Sequence, residues 1–216
     1  MKLRSTSGRA GFTLTEVVLS ASLLAGLLLV AGLATDRCMS MFRQHRAVQV
    51  VGGSANRLLQ RVASELVFAR QGTLQPTALT TQGASTLLYN KCLGVSGGDV
   101  QWSTVFTLRW ELDTGENDDG ADNNGDGLID EGQLVLIEDE GLASERRVVL
   151  GHDLCELMPG ETFDGDDDDG DGLIDERGAC FSLEDDMLTV RIGQQGRGVD
   201  GKSFTRVVET TVFVRN

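Results

Sequence analysis

GFTLTEVVLSASLLAGLLLVAGLA, residues Gly11–Ala34, is an almost entirely apolar stretch whose one charged side chain is Glu16. A helix of about 23 residues is ~35 Å long, which is enough to cross the ~30 Å hydrocarbon core of a bilayer. The ten residues before it carry three bases, Lys2, Arg4 and Arg9. Bases on this side favour a cytoplasmic N-terminus, although three arginines between residues 35 and 46 weaken that bias. The sequence therefore predicts a single transmembrane helix near the start of the chain.

Glu16 is the unusual residue of this stretch. A carboxylate one turn inside an apolar helix costs several kcal/mol of transfer free energy unless it is paired or protonated. An ionisable residue at such a position is therefore a candidate functional residue. The alternative interpretation is that Glu16 lies at the depth of the lipid headgroups and has no role.

A short basic leader, then GFTLTE, then an uninterrupted apolar helix resembles the N-terminal signature of type IV prepilins and type II secretion pseudopilins. The resemblance implies that a prepilin peptidase removes residues 1–11 by cutting after Gly11 and methylates the new N-terminus, Phe12. Glu16 then stands at the fifth mature position, where the family has a glutamate. The resemblance also implies a structural subunit of the inner membrane that joins other pilin or pseudopilin subunits through this helix.

Cleavage would create a free amine on Phe12 at the membrane edge. We expect Glu16 of an incoming subunit to pair with the Phe12 amine of a neighbour, because each charge is costly alone in a medium of low dielectric constant. The competing interpretation of the stretch is an ordinary secretory signal, cleaved before Thr35. The length of the apolar segment and the presence of Glu16 argue against it.

The net charge of −14 is concentrated in one part of the chain. Residues 111–176 contain 24 acids and two bases, so the remainder carries a net positive charge. Such a surface is a poor partner for nucleic acid, and we predict no nucleic-acid binding.

The helical pattern continues beyond the predicted membrane span. Residues 12–72 are predicted to form one transmembrane and spine helix, with a weak point or bend at Gly52-Gly53. Apolar residues recur at helical spacing in its second half, and this stripe is expected to pack on the body of the protein. Its members are Leu58, Val62, Leu66 and Ala69, with Leu59 and Ala63 beside them.

Residues 73–216 are predicted to form a globular, β-rich domain. A loop is expected over 72–82, after which the hydrophobic period changes from helical to alternating. The predicted strands cover 100–112, 133–137, 146–150, 187–192 and 205–214. Strands joined by turns, without long helices between them, predict an antiparallel sheet and an α+β fold. The runs LLQRVASELVFAR (58–70), WELD (110–113) and VRN (214–216) loosely resemble minor pilins and pseudopilins of the PilW and GspJ type.

Two acidic segments nearly repeat each other, ADNNGDGLIDEG (Ala121–Gly132) and DDDDGDGLIDER (Asp166–Arg177), within predicted loops at 117–132 and 164–178. Both contain D-x-[DN]-x-D-G-L-I-D-E, which resembles the first nine positions of an EF-hand-type calcium loop. In such loops alternate oxygens converge on the ion, the glycine at step six permits the turn, and step seven offers its carbonyl. The predicted ligands are Asp122, Asn124, Asp126, the Leu128 carbonyl and Asp130, and Asp167, Asp169, Asp171, the Leu173 carbonyl and Asp175.

The bidentate glutamate of step twelve is missing, since Gln133 and Gly178 stand there. The nearest replacements are Glu131 and Glu176 at step ten, or a carboxylate from elsewhere. Other candidates for that carboxylate are Asp118, Asp119 and Asp164. The loops therefore resemble those of dockerins and other extracellular modules, which implies weak, stabilising calcium binding.

Magnesium suits these loops less well than calcium, because it prefers octahedral, water-rich sites. The alternative to a metal site is a solvated acidic linker. We also expect Ile129 and Ile174 to pack inward and anchor the loops on the body of the protein.

The chain has four cysteines, Cys38, Cys92, Cys155 and Cys180. Three pairings are possible for four cysteines, and a disulfide between Cys155 and Cys180, which bracket the second acidic loop, is the most attractive. The alternative is that all four are reduced.

No catalytic constellation is recognised, so we predict that the protein is not an enzyme. Two other functions compete with the filament subunit: a membrane-tethered, calcium-dependent adhesion or binding module that does not polymerise, and an exported hydrolase.

Overall fold

The computed structural model describes residues 11–76 and 84–214. The predicted leader therefore lies outside the described residues except for Gly11, as do residues 77–82 of the predicted loop. The chain divides into two units, Met1–Gln44 and His45–Asn216. Its one α-helix among the described residues, α1, runs from Leu14 to Leu66.

Helix α1 begins with a capping box, not at Phe12 as predicted. The carboxylate of Glu16 accepts a hydrogen bond from the Thr13 backbone N–H at 2.8 Å. In return the Thr13 hydroxyl oxygen accepts one from the Glu16 N–H at 3.3 Å. This reciprocal pair satisfies two backbone donors that would otherwise have no partner at the helix start. Thr13 is consequently the N-cap, and both Gly11 and Phe12 precede the helix and are exposed.

The end of the helix also differs from the prediction. The helix is not interrupted at Gly52-Gly53, because α1 continues through both glycines; the weak point or bend there stays a prediction. The helix stops at Leu66 and does not reach residue 72, since the next residues pair with a neighbouring strand. The Phe68 carbonyl accepts a hydrogen bond from Cys92 N–H at 2.9 Å, and Arg70 N–H donates to the Asn90 carbonyl at 3.0 Å.

Seven strands form one antiparallel sheet. They are β1 (Thr86–Ser96), β2 (Asp99–Leu112), β3 (Gly132–Glu138), β4 (Arg146–Leu154), β5 (Ala179–Glu184), β6 (Met187–Arg197) and β7 (Ser203–Phe213). Their order is β1-β2-β3-β4-β6-β5, and β7 pairs with the other edge of β6. The antiparallel sheet and all five predicted strands are confirmed, whereas β1 and β5 were not predicted.

The core of the second unit lies between the sheet and the last third of α1. The predicted stripe is confirmed, because Leu58, Leu59, Val62 and Leu66 of α1 are buried, as is Ala69 just after the helix. Ala63 is half-buried. Alternating strand residues meet this stripe and complete one apolar cluster. They include Leu87 and Tyr89 of β1, Phe106, Leu108 and Trp110 of β2, and Leu188, Val190 and Ile192 of β6.

The N-terminal part of α1 is long and apolar enough to span a membrane. Its large side chains are exposed; Leu19 and Leu27, for example, keep 63% and 67% of their surface. A continuous apolar surface of this size indicates contact with lipid or with another apolar protein surface.

Candidate metal centre

Two loops of the second unit share one backbone conformation. Loop 1 is residues 116–131, between β2 and β3, and loop 2 is residues 161–176, between β4 and β5. Corresponding residues lie 45 positions apart in the sequence. Asp130 and Asp175 both adopt positive φ, 50° and 51°, and Gly127 and Gly172 have φ of 93° and 92°. The repeated sequence therefore specifies a repeated structure.

The predicted ligands at steps one, three and five curl each loop through side-chain to backbone hydrogen bonds. Asp122 and Asp167 each accept N–H groups from the glycines three and five residues later, at 2.6 to 2.9 Å. The side chains at steps three and five each accept the N–H two residues further on, at 2.8 to 3.0 Å. An ionised carboxylate has about four acceptor sites, so these bonds leave capacity for a cation.

Two buried glutamates, Glu116 and Glu161, also belong to the loops, and the sequence argument missed them. Both side chains are buried, each residue keeping only 8% of its surface. Glu116 Oε1 accepts the Asn124 N–H at 2.7 Å, and Glu161 Oε1 accepts the Asp169 N–H at 3.0 Å. Carboxylate oxygens of Glu161, Asp167 and Asp169 lie within 4.8 Å of one another, as metal ligands do. The available signal was the repeat itself, which extends upstream as E-x-x-D-G in both loops.

The step-nine aspartates close their loops. Asp130 accepts the N–H groups of Asp119 and Gly120 at 3.2 and 2.8 Å. Asp175 accepts those of the equivalent residues 164 and 165 at 3.1 to 3.2 Å. Asp130 also lies within 4.8 Å of carboxylate oxygens of Asp118 and Glu156, which form a second acidic group beside loop 1.

The step-ten glutamates, Glu131 and Glu176, are nearly inaccessible to solvent, keeping 0% and 3% of their surfaces. Glu131 Oε1 accepts a hydrogen bond from Asn124 Nδ2 at 2.7 Å, which brings it to the step-three ligand. The Oε2 atoms of both glutamates have no hydrogen-bond donor among the described residues. Burial, followed by the repulsion of nearby acids, raises the pKa of Glu131 and raises that of Glu176 to about 7. Oε1 of Glu176 is paired with Arg191 Nη1 at 3.2 Å, whereas no base pairs with Glu131 among the described residues. Glu131 is therefore poorly compensated as an anion, and Glu176 is compensated only in part.

Leu128 anchors loop 1, and the expected anchoring by Ile129 is wrong. Leu128 keeps 5% of its surface, whereas Ile129 keeps 54%. In loop 2, Leu173 and Ile174 are both half-buried. Leu173 packs against a small buried cluster of Cys155, Met158 and Cys180. In loop 1 the side chain at step seven is therefore directed into the protein, and the side chain at step eight is exposed. Step eight is followed by the step-nine aspartate, which has the left-handed backbone conformation.

All four cysteines are free thiols in the structure, and Cys155 and Cys180 are buried together. The disulfide between them stays a prediction. Burial raises the pKa of each of these two thiols to about 12. Because the thiolate is the reactive form, Cys155 is a poor nucleophile at neutral pH.

His152 lies three residues before Cys155 in the sequence. It pairs through Nδ1 with Asp113 Oδ2 at 2.8 Å.

We expect the cysteines to differ strongly in alkylation. In the native protein an iodoacetamide reagent should label exposed Cys38 first and leave Cys155 and Cys180 unmodified, because both are buried and protonated. Peptide mass spectrometry after quenching measures this directly. Denaturation without reductant should then label Cys155 and Cys180 if they are thiols, and should fail to do so if they form the predicted disulfide. Rapid native labelling of Cys155 would contradict the buried placement.

Comparison with known proteins finds no family model, curated protein or solved structure that matches this chain. Function must therefore be argued from the residues and the geometry described above.

Proposed function

We propose that this protein is a minor pilin or pseudopilin, a structural subunit of a type IV pilus or type II secretion pseudopilus. In this proposal a prepilin peptidase cleaves the chain after Gly11, and calcium stabilises the second unit. The observation that carries the proposal is the start of α1. There the sequence GFTLTE (11–16) begins an exposed apolar helix that is long enough to span a membrane. Glu16 lies in the first turn of this helix.

The exposed apolar surface of α1 supports assembly through this helix. No described residue before Ala55 is buried, so none of the described residues covers the apolar side chains at the start of α1. Lipid covers such a helix before assembly, and the helices of neighbouring subunits cover it afterwards. In the proposal α1 crosses the inner membrane once, and the second unit lies on its extracytoplasmic side.

The acidic loops support the calcium part of the proposal. Calcium sites of extracellular modules have dissociation constants of ~10⁻⁴–10⁻³ M. Sites of such modest affinity suit the calcium levels of extracytoplasmic compartments. The buried glutamates of both loops would gain a counter-charge on binding. The ion would also hold the segments between β2 and β3 and between β4 and β5 in one conformation.

The decisive experiment is mass spectrometry of the mature N-terminus, after purification from a host that contains a prepilin peptidase. We expect a chain that begins at Phe12 and carries an added methyl group on its amine. Replacing Gly11 by valine should block cleavage and leave residues 1–11 attached, since a β-branched side chain cannot fit where the peptidase requires glycine. A mature chain that begins at Thr35 would refute the assembly function and indicate a secretory signal.

A further inference from the structure

The two loops are alike in backbone but differ in the cation that their carboxylates face. In loop 2, Arg191 of β6 donates from Nη1 to Oδ2 of Asp171 and to Oε1 of Glu176, the latter at 3.2 Å. Its Nε lies 3.5 Å from Oε2 of Glu209 on β7. The guanidinium therefore bridges the step-five and step-ten carboxylates, where the sequence pattern would place an ion.

Loop 1 has no equivalent ion pair among the described residues. Within residues 11–76 and 84–214, no ion pair joins a lysine, arginine or histidine to an acid of loop 1. Arg197 packs against Gly127, where an added Cβ would fall 2.1 Å from its Nη1. However, Nε of Arg197 donates to the Gly201 carbonyl at 3.3 Å.

Glu131 provides the independent sign that loop 1 takes a cation. Its side chain is fully buried and shares the loop with Asp126 and Glu116, yet its Oε2 has no donor. A buried carboxylate without a counter-charge is strongly unfavourable, and a hard cation with oxygen ligands removes that cost. In loop 2 the guanidinium already supplies part of this compensation to Glu176.

We propose that the two loops are divalent-cation sites of unequal affinity, in which loop 1 binds calcium directly and loop 2 binds it only by displacing Arg191. This inference rests on the calcium assignment of the proposed function. Calcium entering loop 2 is repelled by the guanidinium and must break its bonds to Asp171 and Glu176. The displaced side chain keeps Glu209 as its partner. Loop 2 is thus the site that responds to high calcium, and loop 1 is filled first.

Isothermal titration of the full-length protein in detergent with calcium chloride tests the inference. The wild-type protein should show a stronger and a weaker binding event. Glu131→Gln should remove the stronger event, and Glu176→Gln the weaker one. Arg191→Met, which keeps the side-chain length without the charge, should tighten the weaker event by about tenfold or more. Arg191→Lys keeps the charge and should leave it weak. Asp99→Asn changes an exposed acid at the first residue of β2, is the matched control and should change neither event.

The outcomes separate this inference from the function on which it rests. Two events of equal affinity in the wild type, unchanged in Arg191→Met, would overturn the inequality and leave calcium binding intact. No binding heat in the wild type or any variant would overturn the calcium assignment as well. If circular dichroism shows that Arg191→Met is unfolded, Glu131→Gln and Glu176→Gln test the proposed order of binding instead. Loss of the stronger event from Glu176→Gln would then overturn the proposed order.

Discussion

Removing calcium from the full-length protein in detergent is expected to lower its melting temperature by roughly 5–11 °C. Calcium at about 100 times its dissociation constant stabilises the state that binds it by ~2.7 kcal/mol, and a domain of this size shifts by ~2–4 °C for each kcal/mol. The physical cause is the buried carboxylate of Glu131, which has no counter-charge in chelator, and to a smaller degree that of Glu176, which is left with Arg191 alone. Thermal melts followed by circular dichroism, with calcium chloride and with chelator, make the measurement.

The calcium shift should also depend on pH. The pKa of Glu176 is raised from an ordinary 4.5 to about 7 in the folded protein, and burial raises that of Glu131 too. Protonation of these groups therefore stabilises the calcium-free fold fully below pH ~4.5, and this contribution is lost as the pH rises through about 7. The difference between calcium and chelator melts should consequently be larger at pH 8 than at pH 6.

Matched variants separate a metal site from general charge repulsion. Glu131→Gln keeps the size of the side chain and removes the anion, so it should melt higher than the wild type in chelator and gain less from calcium. Asp99→Asn removes one exposed charge at the start of β2, the opposite end of that strand from loop 1. This variant should respond to calcium like the wild type. Magnesium at the same concentration should stabilise less. Coincident melts with calcium and with chelator would favour the solvated acidic linker instead.

Glu16→Ala is expected to lower incorporation of the subunit into filaments by on the order of 100-fold while leaving membrane insertion unchanged. Losing one partner of a buried ion pair costs ~3–5 kcal/mol, and every ~1.4 kcal/mol is tenfold in an equilibrium, so the lower end of this range corresponds to on the order of 100-fold. In the single chain the Glu16 carboxylate is bound to the Thr13 N–H and hydroxyl. Assembly would exchange these neutral donors for the Phe12 amine of a neighbour. Sheared filaments and membranes, blotted in parallel, report the two quantities.

Thr13→Ala is the control for this experiment, because it removes the capping hydroxyl and keeps the carboxylate. Loss of an N-cap costs ~0.5–2 kcal/mol of helix stability, so a capping role alone predicts that both variants assemble poorly. The pairing hypothesis predicts that Thr13→Ala assembles nearly as well as the wild type. Equal incorporation of Glu16→Ala and wild type would refute the pairing. Sheared fractions that lack even the wild-type protein would favour the tethered adhesion module.

The sequence was most informative where one face of an element is buried. The stripe of Leu58, Val62 and Leu66 and the alternation in β2 and β6 report a single apolar environment, so periodicity located them correctly. β5 was not predicted because it has only six residues, ACFSLE, and contains none of the β-branched residues that mark a strand. The end of α1 depends on hydrogen bonds from residues 68 and 70 to β1, which no local pattern encodes.

The acidic loops show the same limit at the level of single residues. The short motif identified the curl at steps one to five, since glycines and aspartates specify it locally. It could not place Glu116 and Glu161, which reach the loops from upstream, or show that Leu128 rather than Ile129 is buried. The contact of Arg191 with loop 2 joins residues 15 to 20 positions apart across a strand pairing. Such contacts follow from the sheet register rather than from the motif.

The common conformation of loops 1 and 2 has a consequence for how this chain came to have both. Each loop is shaped by hydrogen bonds between its own side chains and its own main chain. Loop 1 closes the hairpin of β2 and β3, whereas loop 2 joins β4 to β5, which both pair with β6. Because the conformation depends on the loop's own residues, the same segment serves two different kinds of strand connection. The sequence of each loop therefore determines its own conformation. Residues 116–131 transplanted into an unrelated β-hairpin should adopt the same turn geometry there.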